Sequence, residues 1–352
     1  MTFQLTIEPL GETIEVEEGQ TVLDACLRRG IWLPHACGHG LCGTCKVEVL
    51  EGEVDHGDAS QFALMDFERD EGKTLACSCT LEADTTIEAE IDEDEDAEHI
   101  PVSDFTAQVA EIVQLSPDIK GIWFEIQGDP VRFQPGQYIN LTVPGIPGPR
   151  AFSIASSPTD GSKIELHVRK VAGGKATTWL HEELKVGDRL TFTGPYGQFF
   201  TRKSRGGTKI FIGGGSGLSS PKSMVLDLLE NGWTEPVWLF QGARGLKDLY
   251  YRELFEKLAA EHANFHYVPA LSEPDAEDGW SGETGFVHEA AERAFEGQFE
   301  GCTAYLCGPP PMIEASIRAL MKGRLFEEGI FTEKFLTAGD EDKVKSPVFR
   351  RI

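Results

Sequence analysis

The sequence predicts a multidomain chain: α+β in its N-terminal part, an antiparallel β-barrel in the middle, and a parallel-sheet α/β part at the C-terminal end. Three observations carry this. Between Phe105 and about Phe200, short strands are separated by turns at Gly128-Asp129, Gly145 to Pro149, Asp160-Gly161 and Gly187-Asp188, as a barrel requires. After Gly206-Gly207 the rhythm becomes strand, glycine loop, helix, strand (Ile210 to Ile212, Gly213 to Gly217, Lys222 to Leu229, Val237 to Phe240), a βαβ unit of a parallel sheet. The acidic run Asp92-Glu-Asp-Glu-Asp-Ala-Glu98 is too charged to pack and separates all of this from what precedes it. At 352 residues and 40% hydrophobic content, the chain is long enough for two or three packed cores.

In chain order, residues 3 to 7 and 13 to 17 alternate apolar and polar side chains about a turn at Gly11, as a hairpin does. Thr21 caps a short helix with Val22, Leu23, Cys26 and Leu27 on its buried side and Gly30 at its end. Cys37-Gly-His-Gly-Leu-Cys42-Gly-Thr-Cys45 follows, with Cys77 further on. The spacing C-x4-C-x2-C and a distant fourth cysteine is that of plant-type [2Fe-2S] ligation, in which four thiolates hold two irons. Gly38, Gly40 and Gly43 permit the left-handed turns and close backbone approach that a loop around an anionic cluster needs. Zinc is the alternative, since Cys42 and Cys45 are spaced as half a site, but Cys77 and Cys79 are wrongly spaced to complete it. Val47 and Val49 mark a strand, Phe62 to Asp70 a short helix, and Thr85 to Ile91 the strand that closes this part.

The net charge of −26 is uneven: residues 1 to 99 hold 25 acidic and 5 basic side chains, and the rest 33 and 27. Such a surface either serves solubility or steers an electron carrier onto a positive partner, and it excludes nucleic acid, whose phosphates it repels. No apolar run is long enough to span a membrane and the N-terminus has neither a basic start nor an apolar core, so no membrane association and a cytoplasmic location are expected. Eight cysteines are too few for a disulfide scaffold in a chain of this length; clustered, they point to metal, while Cys26 and Cys302 read as small buried hydrophobes.

In the barrel, Arg150-Ala151-Phe152-Ser153 offers an arginine to clamp phosphate, an aromatic to cover a flat ring and a hydroxyl to bond a ring nitrogen, although an ordinary amphipathic strand looks the same. Gly136-Gln137-Tyr138 precedes it. Gly173-Gly174-Lys175-Ala176-Thr177-Thr178 follows and opens a helix from Trp179, where free N–H groups and the helix dipole favour an anion; a plain Thr-capped helix is the alternative. In the α/β part, Gly213-Gly214-Gly215-Ser216-Gly217 lies between an apolar strand and a helix, the context in which a glycine loop admits a pyrophosphate, though without the strict G-x-G-x-x-G pattern. Tyr305-Leu306-Cys307-Gly308-Pro309-Pro310-Pro311-Met312 ends another strand and begins a helix.

These segments resemble known families. Cys37 to Cys45, then Leu75-Ala76-Cys77 before Thr85-Thr86-Ile87-Glu88, resemble the plant-type ferredoxin domain, a β-grasp fold; the resemblance implies Cys37, Cys42, Cys45 and Cys77 as metal ligands, with Cys79 the fallback for the fourth. The flavin strand and glycine loops resemble the ferredoxin–NADP reductase superfamily, whose flavin motif is Arg-x-Tyr-Ser. That implies Arg150 on the FAD diphosphate, Phe152 (where Tyr is usual) on the isoalloxazine, and Ser153 as a catalytic contact near its reactive nitrogen. His167, Arg169, Gly174, Lys175, Ala176 and Thr177 become further FAD-binding residues, and Gly194-Pro195-Tyr196-Gly197 with Phe199 favours FAD over FMN. Phe335 would approach the flavin, although core packing accounts for it equally. For the nicotinamide dinucleotide the resemblance implies Gly214, Gly215, Ser216, Gly217, Arg244, Gly308 and Pro309, with catalytic Cys307 beside the nicotinamide as hydride passes to flavin. Where the superfamily has Gly-x-Ala-Pro, this chain has Gly217-Leu-Ser219-Ser220-Pro221. Arg244 and Lys247 suit a 2′-phosphate and Asp248 opposes one; NADH is the expected donor.

Across nearly its whole length the chain resembles the reductase components of bacterial multicomponent oxygenases, most strongly those of phenol hydroxylases, through Arg150-Ala-Phe-Ser153, Gly194-Pro-Tyr-Gly-Gln-Phe-Phe200, Gly214-Gly-Ser-Gly-Leu-Ser-Ser-Pro221 and Leu306-Cys-Gly-Pro-Pro-Pro-Met-Ile313. The implied domains are a [2Fe-2S] ferredoxin domain at 1–95, an acidic linker at 96–103, a FAD-binding barrel at 104–204, a NAD-binding α/β domain at 205–336 and a tail at 337–352. The implied function is transfer of electrons from NADH through FAD and the cluster to an oxygenase partner, a diiron hydroxylase acting on an aromatic ring, by a monomeric protein. The alternatives are the reductase of another oxygenase (toluene-type, alkene or ring-hydroxylating) and a metal-binding interaction module without reductase activity.

Overall fold

The computed structural model describes residues 1–335 apart from 36, 37, 39, 92 and 93, and its described residues fall into two compact units, Met1–Ser103 and a second beginning at Asp104. The tail expected at 337–352 and the first two residues of the acidic run lie outside the described residues.

In the first unit the alternating segments form β1 (Thr2–Glu8) and β2 (Glu12–Glu17), an antiparallel pair turning at Gly11, whose φ of +67° glycine adopts without strain. The Thr21 hydroxyl accepts from the Asp24 amide at 3.3 Å and starts α1 (Val22–Arg28). Then come β3 (Lys46–Glu51), β4 (Val54–Asp55), α2 (Asp66–Asp70), β5 (Lys73–Leu75), β6 (Thr80–Leu81) and β7 (Thr85–Glu88). The five-stranded sheet has the order β2-β1-β7-β3-β5, with β1 and β7 parallel at its centre: a β-grasp. Leu5, Ile7, Ile14, Val16 and Ile87 are buried on it, as are Val22, Leu23, Cys26 and Leu27 of α1. Each fully buried aliphatic side chain contributes about 1.5–3 kcal/mol. The helix read from Phe62 to Asp70 is shorter than expected. The Glu68 carboxylate accepts from the Met65 amide at 3.0 Å and fixes the helix start there, while the Ala63 and Leu64 amides turn back onto the Ser60 carbonyl.

The second unit opens with the barrel: β8 (Ser103–Ser116), β9 (Ile119–Gln127), β10 (Tyr138–Leu141), β11 (Arg150–Ser153), β12 (Lys163–Arg169), α3 (Lys175–Glu182) and β13 (Arg189–Tyr196). Its strands run in the order β11-β10-β13-β8-β9-β12, and an Ile154–Leu166 bridge joins the first to the last. The helix expected from Trp179 begins four residues earlier: Thr177 donates to the Gly174 carbonyl and accepts from the Val171 amide, so the chain is already winding at Lys175.

The remainder alternates strand and helix: β14 (Lys209–Gly214), α4 (Ser219–Glu230), β15 (Val237–Ala243), α5 (Arg252–Glu261), β16 (Phe265–Leu271), β17 (Glu283–Thr284), α6 (Val287–Ala294), β18 (Thr303–Gly308), α7 (Pro310–Lys322) and β19 (Ile330–Lys334). All neighbours pair in parallel, in the order β17-β16-β15-β14-β18-β19. Period-2 alternation feeds two cores: Ile210 and Ile212 face Ala290, Ala291, Ile313 and Ile317 of α6 and α7, and Phe211 and Leu239 face Met224, Leu228 and Phe255 of α4 and α5. Among the described residues no helix is long and apolar enough to cross a membrane.

Candidate functional site

Cys37 lies outside the described residues, and among those described no three His, Cys, Asp or Glu side chains stand close enough together to hold a metal ion. The rest of the loop is shaped for sulfur. Gly38, Gly40 and Gly43 have φ near +70°, and a Cβ on Gly40 or Gly43 would lie 3.2 Å from the carbonyl of Asp58 or Ala63. The loop is thus pressed onto the 58–63 segment, and the Gly40 amide donates to Cys77 Sγ at 3.2 Å. The bond from Cys45 pulls the Cys77 thiol down to about 7 against its burial, with the Gly40 N–H assisting. Cys79 is different: it is wholly buried, and burial pushes its thiol up to about 12, as it does that of Cys26. Cys42 is exposed and Cys45 buried.

In the second unit, β11 pairs with β10 so that Ser153 stands opposite Tyr138, whose ring stacks on Tyr196 at 5.6 Å. Phe152 is half-buried; Arg150 is exposed and its Nη1 donates to the carbonyls of Pro147, Gly148 and Pro149 in its own loop. Gly174 caps α3, whose first turn (Lys175, Ala176, Thr177) leaves backbone N–H groups without intrahelical acceptors. Two residues expected near the flavin are engaged otherwise: Arg169 pairs with Asp118 at 2.8 Å, and both ring nitrogens of His167 are taken up by Glu165 and Tyr250.

The nicotinamide glycine loop leaves β14 at Gly214, passes through a short 3-10 turn (Gly215–Leu218) and enters α4. Its glycines are fixed by close approach to the end of β18 and the start of α7: a Cβ on Gly217 would lie 2.4 Å from Gly308 Cα, and one on Gly214 2.6 Å from Met312 Sδ. Pro221 in the first turn of α4 costs nothing, because its missing N–H is among those a helix start leaves unpaired. Ser216 is buried, Arg244 exposed, and Pro309 is the cap of α7. The Asp248 carboxylate accepts from the Gly245 amide at 3.1 Å and holds the turn after β15.

The two sets of residues meet on one carboxylate that the sequence reading did not single out. Glu333 Oε2, on β19, accepts from Ser153 Oγ at 3.0 Å and Ser220 Oγ at 2.9 Å, with Cys307 Sγ at 3.6 Å. Burial pushes the Glu333 carboxyl up. Burial, and then the Glu333 charge, push the Cys307 thiol well up, so it stays protonated and is no nucleophile. Phe335 follows two residues later, half-buried against the α4/α5 core, its amide donating to the Gly308 carbonyl at 3.2 Å. In the sequence Glu333 is only a lone acid between Phe331 and Phe335.

A second buried set was missed: Lys222 Nζ meets Glu165 Oε2 at 2.7 Å and the Ala155 carbonyl at 3.0 Å, while Ser223 Oγ donates to the Ser156 carbonyl at 2.6 Å. These join α4 to the barrel and explain why barrel and parallel sheet form one unit. Burial opposes ionisation of Glu165, but His167 and Lys222 outweigh it and hold the carboxyl down to about 2.

The 2Fe-2S iron-sulfur cluster binding domain family matches residues 5–82, the oxidoreductase FAD-binding domain family residues 106–201 and the oxidoreductase NAD-binding domain family residues 211–317. The chain is 57% identical, over all of both chains, to the phenol 2-monooxygenase reductase component DmpP of Pseudomonas sp. strain CF600. It is 38% identical to the aromatic O-demethylase reductase subunit of Amycolatopsis sp., covering 96% of this chain and 100% of that one. Among solved structures, the ferredoxin reductase in carbazole 1,9a-dioxygenase superposes with a TM-score of 0.78 at 30% identity, covering 96% of this chain and 99% of that chain.

Proposed function

The chain belongs to the family of oxygenase reductase components that join a [2Fe-2S] domain to FAD- and NAD-binding domains, and from that premise we propose that it supplies electrons from NADH to the diiron hydroxylase of a phenol monooxygenase. The observation that carries this is the Glu333 carboxylate, which gathers Ser153 of the flavin strand and Cys307 of the nicotinamide strand, residues from two separate motifs, within bonding reach of one oxygen. The 57% identity to a phenol 2-monooxygenase component supports the substrate class.

When bound, the flavin takes the electron pair delivered by NADH as hydride and releases single electrons, which is all a [2Fe-2S] centre accepts. Cys37, Cys42, Cys45 and Cys77 would hold the cluster; the Gly40 N–H already directed at Cys77, and the depth of Cys79 in the core, favour Cys77 as the fourth ligand. Arg150 and the first turn of α3 at Gly174, Lys175, Ala176 and Thr177 would hold the FAD phosphates, and Phe152 and Phe335 would cover its ring. The Gly214–Gly217 loop and Gly308-Pro309 would receive the dinucleotide, with Asp248 beside the strand end disfavouring a 2′-phosphate. Ser153 orients its hydroxyl on Glu333, and the Cys307 thiol packs without reacting. We place the domain boundaries as read from the sequence and the protein as a monomer.

Anaerobic titration of the purified protein with NADH, and in parallel NADPH, tests this. Flavin and iron–sulfur absorption that bleaches rapidly with NADH is the expected result. Absorption indifferent to both nucleotides, or its absence, would overturn the reading.

A further inference from the structure

Between the barrel and the nucleotide loop lies a buried chain of polar side chains that the function above does not use. His167 on β12 places Nε2 3.1 Å from Glu165 Oε1 and Nδ1 3.1 Å from the Tyr250 hydroxyl. That hydroxyl is also 2.8 Å from the carbonyl of Gly215, in the glycine loop. The Tyr251 hydroxyl donates to Glu165, and Lys222 pairs with the other oxygen of the same carboxylate. Tyr250 is held by its backbone as well: its carbonyl accepts from Gln241 Nε2 at 3.0 Å, and Tyr267 donates to Gln241 Oε1 at 2.5 Å. Tyr251 sits at φ +57°, a left-handed conformation that a bulky residue adopts only where its surroundings hold it there.

Counting protons gives this chain a direction. The Glu165 carboxylate only accepts, so the Nε2 facing it carries hydrogen. Burial keeps the His167 ring neutral, which leaves Nδ1 with a lone pair. Tyr250 therefore has one proton for two acceptors and shares it as a three-centre bond between the Gly215 carbonyl, the nearer, and His167 Nδ1. Packing alone would be served by phenylalanine; the hydroxyl is what bonds the loop's backbone. Gly215 has a φ of +56° and opens the 3-10 turn, whose i→i+3 bonding sets its carbonyl within the loop, and the Tyr250 hydroxyl ties that carbonyl to a residue outside the loop.

We propose that Tyr250 is the positioning residue of the nucleotide loop, its hydroxyl setting the Gly215 carbonyl relative to the flavin barrel through His167. This rests on the reading of Gly214–Gly217 as the NADH loop. In the full-length holoprotein, Tyr250→Phe should leave flavin and cluster absorption unchanged. It should speed hydrogen–deuterium exchange of peptides covering residues 213–218, and raise the NADH concentration for half-maximal flavin reduction about 10-fold, with the limiting rate within about twofold, as for loss of uniform binding. Tyr251→Phe, which removes a hydroxyl bonded to Glu165 rather than to the Gly215 carbonyl, should alter neither. Loop exchange and half-saturation equal to wild type in Tyr250→Phe would overturn the proposal. Should that variant lose its flavin, His167→Asn, whose amide oxygen can accept from the Tyr250 hydroxyl as Nδ1 does, is compared with His167→Leu: the loop should exchange faster only in the leucine variant, and equal exchange in the two would overturn it. A wild-type protein that oxidises no NADH would sink the reductase reading alone, since the exchange measurement still decides the role of Tyr250.

Discussion

Glu333 receives two hydroxyl donors and lies against a thiol, yet burial raises its carboxyl above the usual range. A carboxyl whose folded value exceeds its unfolded one keeps its proton in the folded state after the unfolded chain has released it, so the stability it contributes falls as pH rises from about 4.3 through the raised value. Glu333→Gln has no such proton. Its melting temperature should gain on the wild type as pH rises from about 4 to about 7, followed by circular dichroism; a difference that stays constant with pH would mean the carboxyl titrates normally. Such residues were the hardest to read. Ser153 and Cys307 stood in recognisable motifs, as did the cysteines of the cluster loop, because each motif is local. Glu333, Glu165 and Lys222 were passed over because a charge in a short segment reads as solvated; only the fold brings Glu165 and Lys222, 57 positions apart, to 2.7 Å within the interior.

At the scale of elements, periodicity located strands and helices, and side-chain bonds moved their ends. The hairpin and α1 are where alternation and the Thr21 cap put them, while α2 starts late on Glu68 and α3 early on Thr177. Register between distant elements left less trace. The loop Gly213 to Gly217 departs from the usual fingerprint, and the reason Gly217 must be glycine is the end of β18, some ninety residues away in the sequence, whose Gly308 Cα would stand 2.4 Å from a side chain there. Backbone cannot yield as a flexible side chain can. Gly217→Ala should therefore cost about 2 kcal/mol or more of stability, and under anaerobic conditions the protein should still be reduced by dithionite while NADH reduces its flavin at least about tenfold more slowly. Unchanged NADH reduction in that variant would show that the β14 and β18 loops separate without consequence.

At the scale of the whole molecule, the change from short strands to βαβ rhythm gave the architecture away. What remained invisible was that barrel and parallel sheet act as one unit, since the Lys222–Glu165 pair and the Ser223–Ser156 bond depend on side chains whose burial only the fold determines. The charge distribution carries the remaining consequence. Residues 1 to 99 hold 25 acidic and 5 basic side chains, whereas the other 253 are nearly balanced, so any electrostatic steering would act on the cluster-bearing end of the chain. Screening shortens such fields from about 10 Å at 0.1 M salt to about 3 Å at 1 M. Electron delivery to the oxygenase partner should then slow about tenfold or more between low salt and about 0.5 M, while flavin reduction by NADH, which takes place within the nearly neutral remainder, changes far less. Stopped-flow measurement of both steps on the same preparation separates them. If partner reduction were as indifferent to salt as flavin reduction, docking would rest on apolar contact and the acidic surface would serve solubility alone.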